Sequence, residues 1–271
     1  MPMPSILIAG IGRLGSRLAE QLVTEGWKVY GLRRGDQFPA GVEGISCDLL
    51  QDDLSQLPKV DYLVFCAAPA RGQQDGYLQT YLAAMDKLLS AIEKQSLKHA
   101  IFTSSTAVYG QNNGEIVDET SLTEPVADNG KIMLQAEQQF IQHLKNKATV
   151  VRMAGLYGSS RFLIDQIIAG KPFNGNSWTN RIHLDDAAGV CGYLLKIAEM
   201  GSELETIYNG VDAAPVLSKE VRGWIAERLA LDLNMQLSAP ANKQVSSKKI
   251  QEIGYQFKYK NFKQGMLSLF N

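Results

Sequence analysis

Ser105 belongs to a run of hydroxyl side chains, "TSST" at 103–106, that follows the apolar stretch "HAIF" and precedes "AVYG". A hydroxyl both donates and accepts a hydrogen bond. At the tip of a buried strand such a run either caps backbone or holds and polarises a bound oxygen. A second chemical set is "GIGRLG", which places Gly10, Gly12 and Gly15 between the apolar "SILIA" and a segment of helical spacing. Glycines at that spacing allow a tight turn, a close approach of backbone to a diphosphate, and close helix–strand packing. The first amides of the helix, those of Arg13 and Leu14 among them, then face the anion. A third set lies at the tip of the next strand, where "GLRRG" carries Arg33 and Arg34. An acidic residue there suits a ribose diol, whereas arginine suits a 2′-phosphate. The expected cofactor is therefore NADP(H), with NAD(H) as the alternative, and Arg13 joins the same phosphate cluster.

These residues need a scaffold that brings strand tips together. Leu14, Leu18, Leu22 and Val23 give one helix, ended by Gly26. "WKVYGL", "GISCDLL", "DYLVFCAA", "HAIFTS" and "ATVVRMA" read as further strands. Helical stretches at about 77–95 and 131–144 separate the later ones. Short unbroken apolar strands alternating with helices predict a doubly wound parallel α/β sheet of Rossmann type. The pattern loosens after Gly158. The expected division is a dinucleotide-binding domain over 1–158 and a mixed region over 159–271 that completes the sheet and forms a small substrate lobe. Its lysine-rich end reads as a solvated face.

The chain has 271 residues, 45% hydrophobic and 20% charged, with a formal net charge of −1. That balance predicts neither nucleic-acid nor membrane partners. The three cysteines, Cys47, Cys66 and Cys191, form no close pair and read as buried free thiols of a cytoplasmic protein. No metal centre is expected.

In order along the chain, "GIGRLG", "CDLL", "FCAAPA", "TSSTAVYG", "VVRMAGLYG" and "RIHLDDAA" resemble the extended branch of the short-chain dehydrogenase/reductase superfamily, the NAD(P)-dependent epimerases and dehydratases. The resemblance implies that Asp48 and Leu49 meet the adenine, that Cys66, Ala67 and Ala68 pass the adenosine ribose, and that Ser105 is the catalytic hydroxyl. It assigns Thr103 and Ser104 to backbone and cofactor. It places "RIHLDD" along the substrate cleft, so Arg181, His183 and Tyr157 are expected to touch a small-molecule substrate. It also implies a homodimer built from the two long helices.

The chain departs from that family where the proton chemistry belongs. The family's Tyr-x-x-x-Lys pair falls on Asn129 and Met133, and neither can transfer a proton. Sliding the register to use Lys131 as the lysine puts Ala127 at the tyrosine. Lys131 is the expected substitute, while Tyr109 in the "VYG" turn reads as structural. Gly155 replaces an asparagine common among nucleotide-sugar enzymes, so such a substrate is not assured. His99 and His143 read as surface or strand-edge residues. Two functions follow: an NADP(H)-dependent reductase, epimerase or dehydratase acting on a sugar-like or other hydroxylated or carbonyl molecule, or a dinucleotide-binding sensor or scaffold without catalysis.

Overall fold

The run "SILIA" lacks polar alternation because both of its faces are covered. Ile6 and Ile8 pack into one helical layer, and Leu7 and Ala9 into the other. The computed structural model describes residues 3–69, 75–92, 96–233, 235–236 and 238–270. In chain order the first half comprises β1 (Ser5–Ala9), α1 (Arg13–Thr24), β2 (Lys28–Arg33), β3 (Glu43–Ser46), β4 (Tyr62–Phe65), a π-helix (Leu78–Ala84), α2 (Met85–Ile92), β5 (His99–Ser105), a 3₁₀ turn (Thr106–Val108), β6 (Asn113–Val117), α3 (Asp128–Leu144) and β7 (Ala148–Met153). The remainder comprises β8 (Gly155–Tyr157), α4 (Phe162–Ile168), β9 (Phe173–Asn174), β10 (Trp178–Thr179), β11 (Arg181–His183), α5 (Leu184–Glu199), β12 (Ile207–Gly210), β13 (Val216–Leu217), α6 (Ser218–Leu229), β14 (Met235–Gln236), β15 (Asn242–Val245), α7 (Lys248–Glu252) and α8 (Phe262–Leu267).

The central sheet has seven strands in the order β12-β7-β5-β4-β1-β2-β3. All of its pairings are parallel. From β1 the chain winds outward to β2 and β3, and from β4 it winds the other way. Ligands of open α/β sheets bind in the crevice at that reversal, outside the carboxyl ends of the strands. The residues after 158 contribute β12, which pairs with β7 from Ile207↔Val150 to Gly210↔Met153. They also contribute α5, which shares a buried layer with α1. The outlying lobe has its own apolar centre around Ile164, Val221, Ile225 and Phe262, and it is tied back by the parallel pair β15–β6.

Several expectations need correction. The helical stretch from Tyr77 is not one regular helix: it begins as a π-helix and becomes α-helical at Met85, and residues 93–95 of the expected stretch lie outside the described residues. π-turns inside helices recur at functional sites, and this one borders the cleft described below. The lysine-rich end is not simply solvated. Lys243 and Lys249 are half-buried, with the Lys243 ammonium donating to the Tyr109 carbonyl at 2.7 Å. His99 sits inside the sheet at the start of β5, against the Thr149 hydroxyl at 2.9 Å, and burial pushes its pKa down to about 4. Cys47 and Cys191 are buried and Cys66 is partly exposed; all three are free. Among the described residues no helix is long and apolar enough to cross a membrane.

Candidate active site

A cleft of about 840 Å³ runs along the carboxyl edge of the sheet. Its first end is built by backbone. Gly10 has φ +114°, and a Cβ there would lie 2.3 Å from the Ala67 amide nitrogen, so only glycine lets the first turn lie against the chain leaving β4. The turn is fixed by its amides, those of Gly10 and Ile11 both donating to the Leu32 carbonyl at 2.9 and 3.0 Å. The Cys66 thiol adds a contact to the Gly10 carbonyl at 3.2 Å. At Gly12 a Cβ would meet nothing within 4 Å. No side chain caps α1 there, and no acidic residue occupies its first turn. The unpaired first-turn amides therefore face open cleft, as a diphosphate requires.

Arg13, Leu14, Arg33, Arg34, Asp48, Leu49, Cys66, Ala67 and Ala68 all line the same cleft. Arg33 is held by a bond to the Gln37 carbonyl at 2.8 Å, and Arg13 donates to the Ser159 hydroxyl at 3.1 Å. Among the described residues no carboxylate pairs with Arg13, Arg33 or Arg34, so their charge is available to an anion. Asp48 is held in a turn by its bond from the Leu50 amide at 2.9 Å. These residues fit a nicotinamide dinucleotide.

The hydroxyl run divides its work. Thr103 donates to the Phe65 carbonyl at 3.3 Å, joining the tips of β5 and β4. Ser104 lines the cleft, but its hydroxyl donates at 2.5 Å to the buried carboxylate of Glu137. That carboxylate takes three bonds from Arg152, the shortest at 2.8 Å, and Arg152 donates onward to the Tyr109 hydroxyl at 3.0 Å. Tyr109 in turn donates to Asn209 at 2.9 Å. Glu137 and Arg152 are only 2% and 4% exposed. Tyr109 is thus structural, as expected, and Ser104 braces β5 rather than offering its hydroxyl to a ligand.

Ser105 accepts the Ala107 amide at 3.1 Å as the cap of the 3₁₀ turn. Acceptance leaves its own proton free to donate into the cleft. Asn129 and Met133 stand on the facing wall. They come close because Gly130 lets α3 press onto the 3₁₀ turn, where a Cβ would lie 2.5 Å from the Ala107 carbonyl oxygen. Asn129 uses its carbonyl on the Gly130 amide at 2.9 Å, so its NH₂ group remains as a donor.

Lys131 is not brought to this point. Positions 129 and 133 are one helical turn apart and share a face; 131 lies on the far side. Its side chain is 59% exposed and pairs with Asp128 at 3.0 Å. The three expected substrate contacts are also displaced. On β8 it is Leu156 that lines the cleft, while Tyr157, next along the strand, points inward. The Tyr157 hydroxyl is buried without a partner, and burial raises its pKa. His183 caps α5 by accepting the Asp185 amide at Nδ1, 3.1 Å away, so its proton sits on a buried, unpartnered Nε2. Burial lowers the His183 pKa. Arg181 lies on the paired strand β11, outside the cleft lining, with a buried Nε. Behind it, burial pushes Asp212 up to about 7.

Sequence reasoning missed the Glu137–Arg152 pair and the wall formed by Tyr77, Gln79, Thr80 and Tyr81. Each had a signal. An acidic residue lies on the apolar stripe of α3 between Ala136 and Phe140, and an arginine interrupts the apolar run of β7. Tyr77 and Tyr81 are four residues apart, with ring centroids 5.3 Å apart.

The comparisons agree with this architecture. The family model of the NAD dependent epimerase/dehydratase family matches residues 6–209. Protein YeeZ of Escherichia coli K12 is 30% identical over 273 residues, covering 95% of this chain and 97% of that one. A solved Methylobacillus flagellatus structure assigned to the NAD-dependent epimerases/dehydratases is 32% identical, with a TM-score of 0.88 and coverage of 99% and 98%. The Bacillus cereus UDP-glucuronic acid 4-epimerase, solved with NAD, shares the fold at 18% identity, with a TM-score of 0.82 and coverage of 97% and 96%. The matched span takes in the glycine turn, the hydroxyl run and α3, and on it the chain belongs to the NAD-dependent epimerase/dehydratase family.

Proposed function

We propose that this protein is an NADP(H)-dependent enzyme acting on a carbonyl or hydroxyl carbon of a small molecule. The observation that carries the reading is one continuous cleft, lined by Arg33 and Arg34 at one end and by the Ser105 hydroxyl at the other. A nicotinamide dinucleotide, when bound, supplies the hydride chemistry. The chain's own residues grip the diphosphate through the amides after Gly12, hold a 2′-phosphate through the paired arginines, and donate hydrogen bonds from Ser105 and Asn129 to the substrate oxygen. Both are donors, so they favour polarising a carbonyl over drawing a proton from an alcohol.

Asn129 and Met133 in place of the family's Tyr and Lys favour the second reading, a dinucleotide sensor without turnover. The two separate in one experiment. Titration with NADPH and NADH is expected to show tighter NADPH binding, and a panel of aldehydes, ketones and nucleotide sugars is then offered with NADPH. Turnover that falls about 10²-fold or more in Ser105→Ala, at unchanged NADPH affinity, supports the enzyme. Tight NADPH binding with no turnover on any of them supports the sensor.

The reading extends to assembly and place. α2 and α3 lie side by side, with the Gln139 amide donating to the Leu82 carbonyl and to Asp86 at 3.2 and 3.3 Å. We infer a cytoplasmic homodimer that pairs these helices with those of a second copy; a monomeric mass by light scattering at micromolar concentration refutes the dimer.

A further inference from the structure

Midway along the cleft, two of the hydroxyls at the β5 tip are already committed, Thr103 to the Phe65 carbonyl and Ser104 to Glu137. Met133 and Met153 present thioethers there, which donate no hydrogen bond. Tyr81 differs from all of these. It lines the cleft from the π-helix and is only 8% exposed. Its ring is packed, with centroids 6.1 Å from Phe102 of β5 and 5.3 Å from Tyr77. Its hydroxyl has no hydrogen-bond partner among the described residues, yet it is not sealed from solvent as the Tyr62 and Tyr157 hydroxyls are. Burial raises its pKa, and the neighbouring Tyr77 and Cys66 add to the rise, so the phenol keeps its proton and is a donor. Packing fixes where that donor stands, so little freedom is lost when a ligand meets it. Tyr77, 37% exposed, and the half-buried Thr80 reach water without a ligand.

Strand order tells which part of a dinucleotide passes this donor. The arginines stand at the tip of β2, the diphosphate turn follows β1, and Ser105 ends β5. Across the sheet these strands run β2, β1, β4, β5. A dinucleotide laid from the arginines to Ser105 therefore crosses β4 after its diphosphate, and the group it carries across is the ribose of the nicotinamide half. Tyr81 stands at that crossing, beside Cys66 at the end of β4 and against Phe102 of β5. Ribose hydroxyls held out of water need partners, and Met133 on the same lining offers none.

We propose that Tyr81 is a cofactor-binding residue whose phenol donates a hydrogen bond to a hydroxyl of the nicotinamide ribose, supplying the donor that Met133 lacks. The proposal rests on the cofactor reading above and adds a contact outside the glycine turn and the paired arginines.

Tyr81→Phe removes the hydroxyl and keeps the ring, so melts of the unliganded variant and parent are expected to coincide. Calorimetric titration then compares three ligands. NADPH is the whole cofactor; 2′-phospho-ADP-ribose keeps the second ribose without the nicotinamide; adenosine 2′,5′-bisphosphate lacks both. The first two are expected to bind the variant about 3- to 10-fold more weakly than the parent, and the third equally well. Unchanged NADPH affinity overturns the proposal. So does an equal loss for adenosine 2′,5′-bisphosphate, which marks a general disturbance of the cleft, and so does a loss confined to NADPH, which moves the contact to the nicotinamide ring. A parent protein that binds none of the three refutes the cofactor reading itself, a result distinct from each of these.

Discussion

The two ends of the cleft are specified in different ways. At the dinucleotide end the chain path itself is the site: the Gly10 turn, the Leu32 carbonyl that anchors it and the first amides of α1 lie where the backbone must go. At the far end the site depends on which of several neighbouring side chains faces inward. Leu156 faces the cleft and Tyr157 does not; Asn129 and Met133 do and Lys131 does not. The first end pairs its polar groups or offers them to an anion, whereas behind the second Tyr157, His183 and Asp212 each keep a buried polar atom without a partner. Sites written in backbone tolerate few substitutions, while sites written in side chains can change chemistry on an unchanged scaffold.

The largest expected effect tests what holds the β5 tip. Glu137→Ala leaves Arg152 buried without its partner, and we expect a loss of about 3–5 kcal/mol in urea unfolding. A variant as stable as the parent would show that the pair does not brace the hydroxyl run. Asp212→Asn probes the unpartnered region behind the far end. Burial raises the native pKa of Asp212 to about 7, so between its unfolded value near 4 and pH 7 the native state holds the extra proton, and stability falls as pH rises. The asparagine variant is therefore expected to be more stable by roughly 2–4 kcal/mol at pH 8, with the gap closing toward pH 4. Melts at both pH values check the sign.

His99 supplies the opposite slope. Its native pKa, lowered by burial to about 4, lies below its unfolded value. Its contribution is complete above about pH 6.5 and is lost as pH falls toward 4. At the cofactor end, replacing Arg33 and Arg34 together by alanine is expected to weaken NADPH about 10- to 100-fold while leaving NADH unchanged. Equal losses for both nucleotides would assign the arginines to the shared diphosphate. The smallest effect is expected from Lys131→Ala: stability within about 0.5 kcal/mol and no change in any turnover. A large loss there would bring Lys131 back to the reacting end.

What the residues disclosed follows the same division. The parallel sheet was legible because unbroken apolar strands such as "YLVF" occur where both faces are covered. The glycine turn was legible because its spacing answers to steric limits that hold in any chain. The far end was less so. A helix position two residues from the right one looks equivalent in the sequence but lies across the helix axis, which is how Lys131 came to be expected in the cleft. Adjacent strand positions face opposite ways, so an expectation one residue off selects Tyr157 where Leu156 lines the cleft. The Ser104–Glu137–Arg152–Tyr109–Asn209 chain joins β5, α3, β7 and β12. No local pattern links residues so far apart.

The position of β12 has a consequence in time. Among the described residues it is the only cover on the outer edge of β7 in the seven-stranded sheet, and about 50 residues separate the end of one from the start of the other, several seconds of translation at the usual rate. Throughout that interval the emerging polypeptide presents a bare row of amides and carbonyls to its surroundings, with Tyr109 still lacking Asn209. A nascent chain stalled in that window, or a fragment cut there, is the species of this protein that would aggregate and require a chaperone.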